Sequence, residues 1–107
     1  MKVRYTRQAI LDLLIIADYV GERNPFAAAD VEAAIRATID LLADYPRIGR
    51  DRPDLDARAL GVPRYSYTAY YRIEGDEVWI VLIRDDRRKA PAVISRAALS
   101  RLSPIAD

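Results

Sequence analysis

The sequence predicts a single α+β domain, and three observations predict it. Apolar residues recur at helical spacing through two early segments, 7–20 and 26–44, which Asn24-Pro25 separates. The period then changes: residues 65–73 alternate apolar and polar, and residues 78–83 form an unbroken apolar run between a turn and a charged stretch. Helical segments come first and strand segments follow, so the strands should pair as an antiparallel meander with a helical hairpin packed on it. A chain of 107 residues suffices for one core of modest size.

Val3-Arg4-Tyr5 reads as a short first strand, and Thr6 is a good N-cap for the helix that follows. In that helix Ile10, Leu13, Leu14, Ala17 and Val20 are assigned to the core face, with Gly21 as its C-cap. Asn24 followed by Pro25 restarts the chain as a second helix, because proline suits the first helical turn. Val31, Ile35, Thr38, Ile39 and Leu42 line one side of it, and Asp30, Glu32, Arg36, Asp40 and Asp44 line the other. Tyr45-Pro46 ends it, since the residue before proline avoids the α region. Residues 46–56, with Pro46, Gly49 and Pro53, are read as an exposed loop, and Ala57 to Val62 as a weak strand closed by Pro63. Tyr65, Tyr67, Ala69, Tyr71 and Ile73 then share one face of a strand. Glu74-Gly75-Asp76 turns the chain into the most apolar strand, Glu77 to Ile83, which is expected at the centre of the sheet and buried on both faces. The predicted order is β-α-α-β-β-β over residues 1–90. The tail, 91–107, has weak helical spacing through Ile94, Ala97, Ala98, Leu99 and Leu102 and is expected to form a short helix.

Composition excludes several kinds of chemistry. The chain has neither cysteine nor histidine, which removes disulfides, thiolate metal sites and the commonest general base. No apolar stretch is long enough to span a membrane, and Met1-Lys2-Val3-Arg4-Tyr5 lacks the apolar run of a signal peptide, so a cytoplasmic location is expected. The net charge of +1 is unevenly spread, with +3 in residues 1–7, −5 in residues 8–44 and +3 in residues 45–107. The basic side chains are mostly arginine, which contacts phosphate and carboxylate bidentately; a GC-rich genome would produce the same bias.

Two groups of residues are candidates for contacts outside the domain. The cations Arg58, Arg72, Arg84, Arg87, Arg88 and Lys89 could bind a target, and the run from Arg84 to Lys89 reads either as a solvated strand end or as a contact loop. RNA cleavage would also need a base and an acid, for which only Glu77, Asp85, Asp86 or a tyrosine is on hand. Tyr65, Tyr67 and Tyr71 read as sheet-packing residues in preference to stacking platforms, and Trp79 as core. The first helix carries a second apolar stripe, Leu11, Ile15 and Tyr19, spaced i, i+4, i+8. Such a stripe is either covered by the tail through Leu99 and Leu102 or serves as a partner surface.

In order and spacing the chain resembles the RelE/ParE toxin superfamily, and its ParE branch in particular. The resemblance runs over residues 2–90 and rests on the strand, the Thr6 cap, the two helices, and Pro46-Arg47-Ile48-Gly49-Arg50. It continues through the aromatic strand Tyr65–Ile73, the short turn, and the apolar strand that ends in Arg84-Asp85-Asp86-Arg87-Arg88. Many relatives carry histidine before the terminal arginine pair, where this chain has Asp85-Asp86, and the tail has no clear counterpart. The resemblance implies the toxin of a type II toxin–antitoxin system, of the kind associated with plasmid stabilization, acting on DNA gyrase by binding. It also implies neutralisation by a ParD-like antitoxin, for which Leu11, Ile15 and Tyr19 are the candidate contacts. On this reading there are no catalytic residues, no metal, no cofactor and no sequence-specific DNA binding. The alternatives are a RelE-like ribosome-dependent mRNA endonuclease and a non-toxic, degenerate interaction module.

Overall fold

The computed structural model describes residues 1–87, so the tail, Arg88 and Lys89 lie outside the described residues. The chain runs β1 (Lys2–Tyr5), α1 (Arg7–Arg23), α2 (Pro25–Asp40), a 3₁₀ turn (Leu41–Ala43), β2 (Arg50–Arg52), β3 (Ala57–Gly61), β4 (Tyr67–Glu74) and β5 (Glu77–Asp85). The strands form one sheet in the order β1-β5-β4-β3-β2. The α+β class and the helical hairpin are as expected. Two details differ. The meander β2 to β5 is antiparallel, but β1 joins parallel to β5, so the sheet is mixed. Arg50–Arg52, inside the expected loop, is a short edge strand paired with β3. Three charged residues are too few to reveal a strand period, and here the pairing comes from the neighbour.

The helix boundaries follow from local hydrogen bonding. The Thr6 hydroxyl accepts from the Ala9 N–H at 3.1 Å and caps α1. Gly21 does not end that helix. Asn24 does, donating its N–H to Val20 O at 2.8 Å while its side chain accepts from the Phe26 and Ala27 N–H groups. One extended residue thus closes α1 and opens α2. The expected apolar side of the second helix is buried throughout: Val31, Ile35, Thr38, Ile39 and Leu42. Full burial of a side chain such as Ile35 or Ile39 contributes about 1.5–3 kcal/mol.

The core face of α1 differs from the one its spacing predicts. Ala9, Leu13 and Ile16 are buried, and Asp12 with them, whereas Ile10 and Leu14 are 38% and 56% exposed. A helix with apolar residues on more than one side lets periodicity choose no single face. Hydrogen bonds to β5 make the choice. β1 ends at Tyr5, and the Thr6 N–H donates to Ile80 O at 3.0 Å. The Thr6 hydroxyl then donates to Val81 O at 2.7 Å, and the Asp12 carboxylate accepts the Ile83 N–H at 2.9 Å. These bonds fix the rotation of α1 about its axis.

β5 is buried on both faces, as expected, by means of a bulge. Tyr70 pairs with Leu82 and Tyr71 with Ile80, so Val81 is an extra residue that reverses the alternation. Val78, Ile80 and Ile83 pack with the helices, together with Tyr67, Ala69 and Tyr71. Val81 and Leu82 join Leu55, Ala57, Ala59 and Tyr70 in a second cluster. Trp79 is only half-buried, not core: its register partner Arg4 lies with its guanidinium 5.6 Å from the ring centroid.

Candidate partner-binding surface

The Thr6 and Asp12 contacts turn the apolar surplus of α1 outward. Leu11 and Ile15 are 45% and 60% exposed, and Ile10 and Leu14 extend the same surface. Tyr19, the third member of the stripe, is half-buried beneath Arg23, whose guanidinium lies 3.8 Å from the phenol ring centroid. Beneath this surface Asp12 is held by Gln8 at 2.8 Å as well as by Ile83. Burial pushes the Asp12 carboxyl above the usual aspartate range, against the lowering effect of those two hydrogen bonds and of Arg84.

The end of β5 is a built turn. Asp85 grips Arg87 through Nε at 3.1 Å and Nη2 at 3.0 Å, and accepts the Arg87 backbone N–H at 2.9 Å. The Arg87 side chain remains 61% exposed while that of Asp85 is 13% exposed. Asp86 accepts from the Thr68 hydroxyl at 2.8 Å, and its N–H donates to Ser66 O. The two aspartates therefore order the turn. Burial raises the pKa of Tyr67, Asp85 raises it further, and Arg87 opposes them.

Arg58 and Arg72 lie at the other end of the meander. Arg58 pairs with Tyr71 and donates to the carbonyls of Gly49 at 3.1 Å and Arg47 at 3.0 Å. Arg72 pairs with Trp79 and donates through Nε to Asp56 O at 2.9 Å, while its buried Nη2 has no partner. Both border a hollow of about 360 Å³ where Arg47, Arg58 and Arg72 face Asp51, Asp56 and Glu74. Three carboxylates offset three guanidinium groups, which is a poor phosphate cradle. The loop above is locked by Tyr71, whose hydroxyl donates to Pro46 O at 2.8 Å and accepts the Gly49 N–H at 3.0 Å. A Cβ on Gly49 would lie 2.6 Å from that hydroxyl, so the Pro-x-x-Gly segment needs glycine there.

A family profile described as the ParE toxin of the type II toxin–antitoxin system, parDE, matches residues 3–90. The chain belongs to the ParE toxin family. Y4kP of Sinorhizobium fredii, which carries a toxin designation, is 33% identical over 93 residues, covering 87% of this chain and 96% of the relative. Toxin RelE2 of Caulobacter vibrioides is 36% identical over 87 residues, covering 81% and 97%. A solved structure titled the chromosomal ParDE TA system from P. aeruginosa superposes with a TM-score of 0.72 at 26% identity, over 79% of this chain and 95% of that one.

In this ParE-family toxin the four described cations among those proposed from sequence, Arg58, Arg72, Arg84 and Arg87, do not form one site. Arg84 and Arg87 stand at one end of the β4–β5 ladder and Arg58 and Arg72 at the other. Among the described residues no group of three acidic side chains is placed to hold a metal ion, and no helix is long and apolar enough to cross a membrane. Sequence reasoning missed Ile10 and Leu14 as surface residues and Asp12 as the buried link. An acid in an otherwise apolar helix, four residues after Gln8 and six after a capping threonine, was the available signal. What the arrangement offers is an exposed apolar helix face, which suits binding to another protein.

Proposed function

We propose that this ParE-family chain arrests growth by binding DNA gyrase and is neutralised by a ParD-like antitoxin seated on the outer face of α1. The exposed run Leu11, Leu14 and Ile15 carries the antitoxin part of the reading, because large apolar side chains clustered on a helix face that the other described residues leave exposed mark an interface. The gyrase part follows the ParE resemblance. It is supported by the employment of Arg58, Arg72 and Arg87 within the fold, where they hold carbonyls and a carboxylate and do not surround a common base. A cytoplasmic location goes with such a target.

Induction of the chain alone in bacteria should stop growth with filamentation and DNA-damage signalling while bulk mRNA stays intact. Co-expression of the small protein encoded beside it should restore growth. Rapid cleavage of mRNA at ribosomal A sites, lost on substituting Arg84 or Arg87, would replace the gyrase reading with the endonuclease one. Unimpaired growth at high soluble expression would leave a non-toxic interaction module.

A further inference from the structure

We infer that the chain covers the outer face of α1 with its own C-terminal segment: residues 91–103 dock there as a helix, through Ile94, Ala98, Leu99 and Leu102. The inference concerns the free chain, before any partner arrives, and does not need the antitoxin reading. It starts from a face that the other described residues leave open. Ile10, Leu11, Leu14 and Ile15 are 38%, 45%, 56% and 60% exposed, and they fall within about 140° of one another round the helix. The same side continues toward the C-terminal end of α1 as Asp18 and Glu22. Neither acid forms an ion pair with another described residue. An occupant that fits is therefore apolar over one half of this face and basic over the other.

The segment that follows β5 has both properties. Residues 88–107 carry four basic side chains, Arg88, Lys89, Arg96 and Arg101, against the single acid Asp107. Ile94, Ala98 and Leu102 form an i, i+4, i+8 row with Leu99 beside it, and Arg96 and Ser100 fall on the far side. Pro91 suits the first turn of such a helix and Pro104 stops it. Its length of about 20 Å matches the roughly 18 Å from Ile10 to Glu22. The fold sets the path. β5 meets α1 first at Thr6, through Val81 O at 2.7 Å, and then at Asp12, through the Ile83 N–H at 2.9 Å. Strand and helix therefore advance together, and β5 runs on to Asp85, toward the acidic half of α1. That course delivers Arg88 and Lys89 to Asp18 and Glu22, and a helix turning back antiparallel lays its apolar row on Ile15, Leu14, Leu11 and Ile10. Only residues 88–90 separate Arg87 from Pro91. So short a tether holds the segment at an effective concentration on the order of millimolar, above that of a second copy in dilute solution.

The test is paramagnetic broadening in the full chain, which has no cysteine of its own. A nitroxide on Ser100→Cys, on the side of the segment away from the apolar row, should broaden the amide signals of residues 10–19 and leave those of Arg50, Asp51 and Arg52 sharp. Isotope-labelled wild-type chain mixed with the spin-labelled chain should show neither effect. Ile15→Asp and Leu102→Asp, each added to the spin-labelled chain, should remove most of the broadening on α1, and Asp18→Lys with Glu22→Lys should weaken it. The Ile35 and Ile39 amides, in the core, should keep their positions in every variant, because Ile15 is 60% exposed and its replacement leaves that core intact. Broadening that survives both Ile15→Asp and Leu102→Asp would mean that the tether alone keeps the segment nearby, and the contact would be overturned. Broadening in the mixed sample would give the face to a second copy. No broadening, or broadening centred on another surface, would leave the face without this segment, and either result overturns the inference.

Discussion

Replacing Asp12 with alanine tests the link that sets α1 on the sheet. The substitution removes the acceptor of the Ile83 N–H, 2.9 Å away in a residue only 2% exposed. It also removes the acceptor of the Gln8 amide at 2.8 Å, which can turn to water. A stranded buried N–H costs about 1–3 kcal/mol. Release of a desolvated carboxylate offsets part of that, since burial is the largest influence on this group, and the net loss should be about 1–2 kcal/mol. For a chain of this length that corresponds to a fall in melting temperature of roughly 4–8 °C. Urea unfolding followed by circular dichroism should show a lower midpoint with an unchanged slope. Amide exchange read by NMR should show the Ile83 proton losing protection while those of Ile35 and Ile39 keep theirs relative to global unfolding. An unchanged midpoint with Ile83 still protected would refute the reasoning, because another acceptor would then hold that N–H.

Tyr71→Phe should cost about 2–4 kcal/mol in urea unfolding, because one hydroxyl serves both the buried Gly49 N–H and Pro46 O; a loss under about 0.5 kcal/mol would mean the loop keeps its place without it. Asp12→Asn should report the sign of the Asp12 shift. A folded-state carboxyl pKa raised by burial adds stability below the ordinary aspartate range and loses it as pH rises through the folded value. Wild type should therefore lose stability relative to Asp12→Asn as pH rises from the ordinary aspartate range through the raised folded-state value in paired unfolding experiments; the opposite trend would mean that the hydrogen bonds from Ile83 and Gln8 outweigh desolvation.

How much of the candidate surface was legible in the sequence differs between its two halves. The Leu11, Ile15, Tyr19 stripe was visible as an apolar surplus on a helix that already had a core face, and its first two members are exposed. The arginines after β5 were visible as a charge run, but nothing in the run says that Asp85 orients Arg87 or that Asp86 binds Thr68.

The sequence by itself determined the class of fold, the order of its two helices and four longer strands, and the family, because those rest on local rules. Thr6 and Asn24 cap helices through their own side chains, proline after Tyr45 forbids more helix, and the apolar period switches where helix gives way to strand. Only the tertiary structure decided which face of α1 is core, because a helix with apolar residues on more than one side has no preferred side until something outside it binds. Thr6 and Asp12 bind Val81 and Ile83, and that rotation buries Ala9, Leu13 and Ile16 while leaving Ile10 and Leu14 in solvent. The parallel pairing of β1, the bulge at Val81 and the short β2 were decided in the same way. Each depends on hydrogen-bond partners supplied from distant parts of the chain, and no period in the local sequence encodes them.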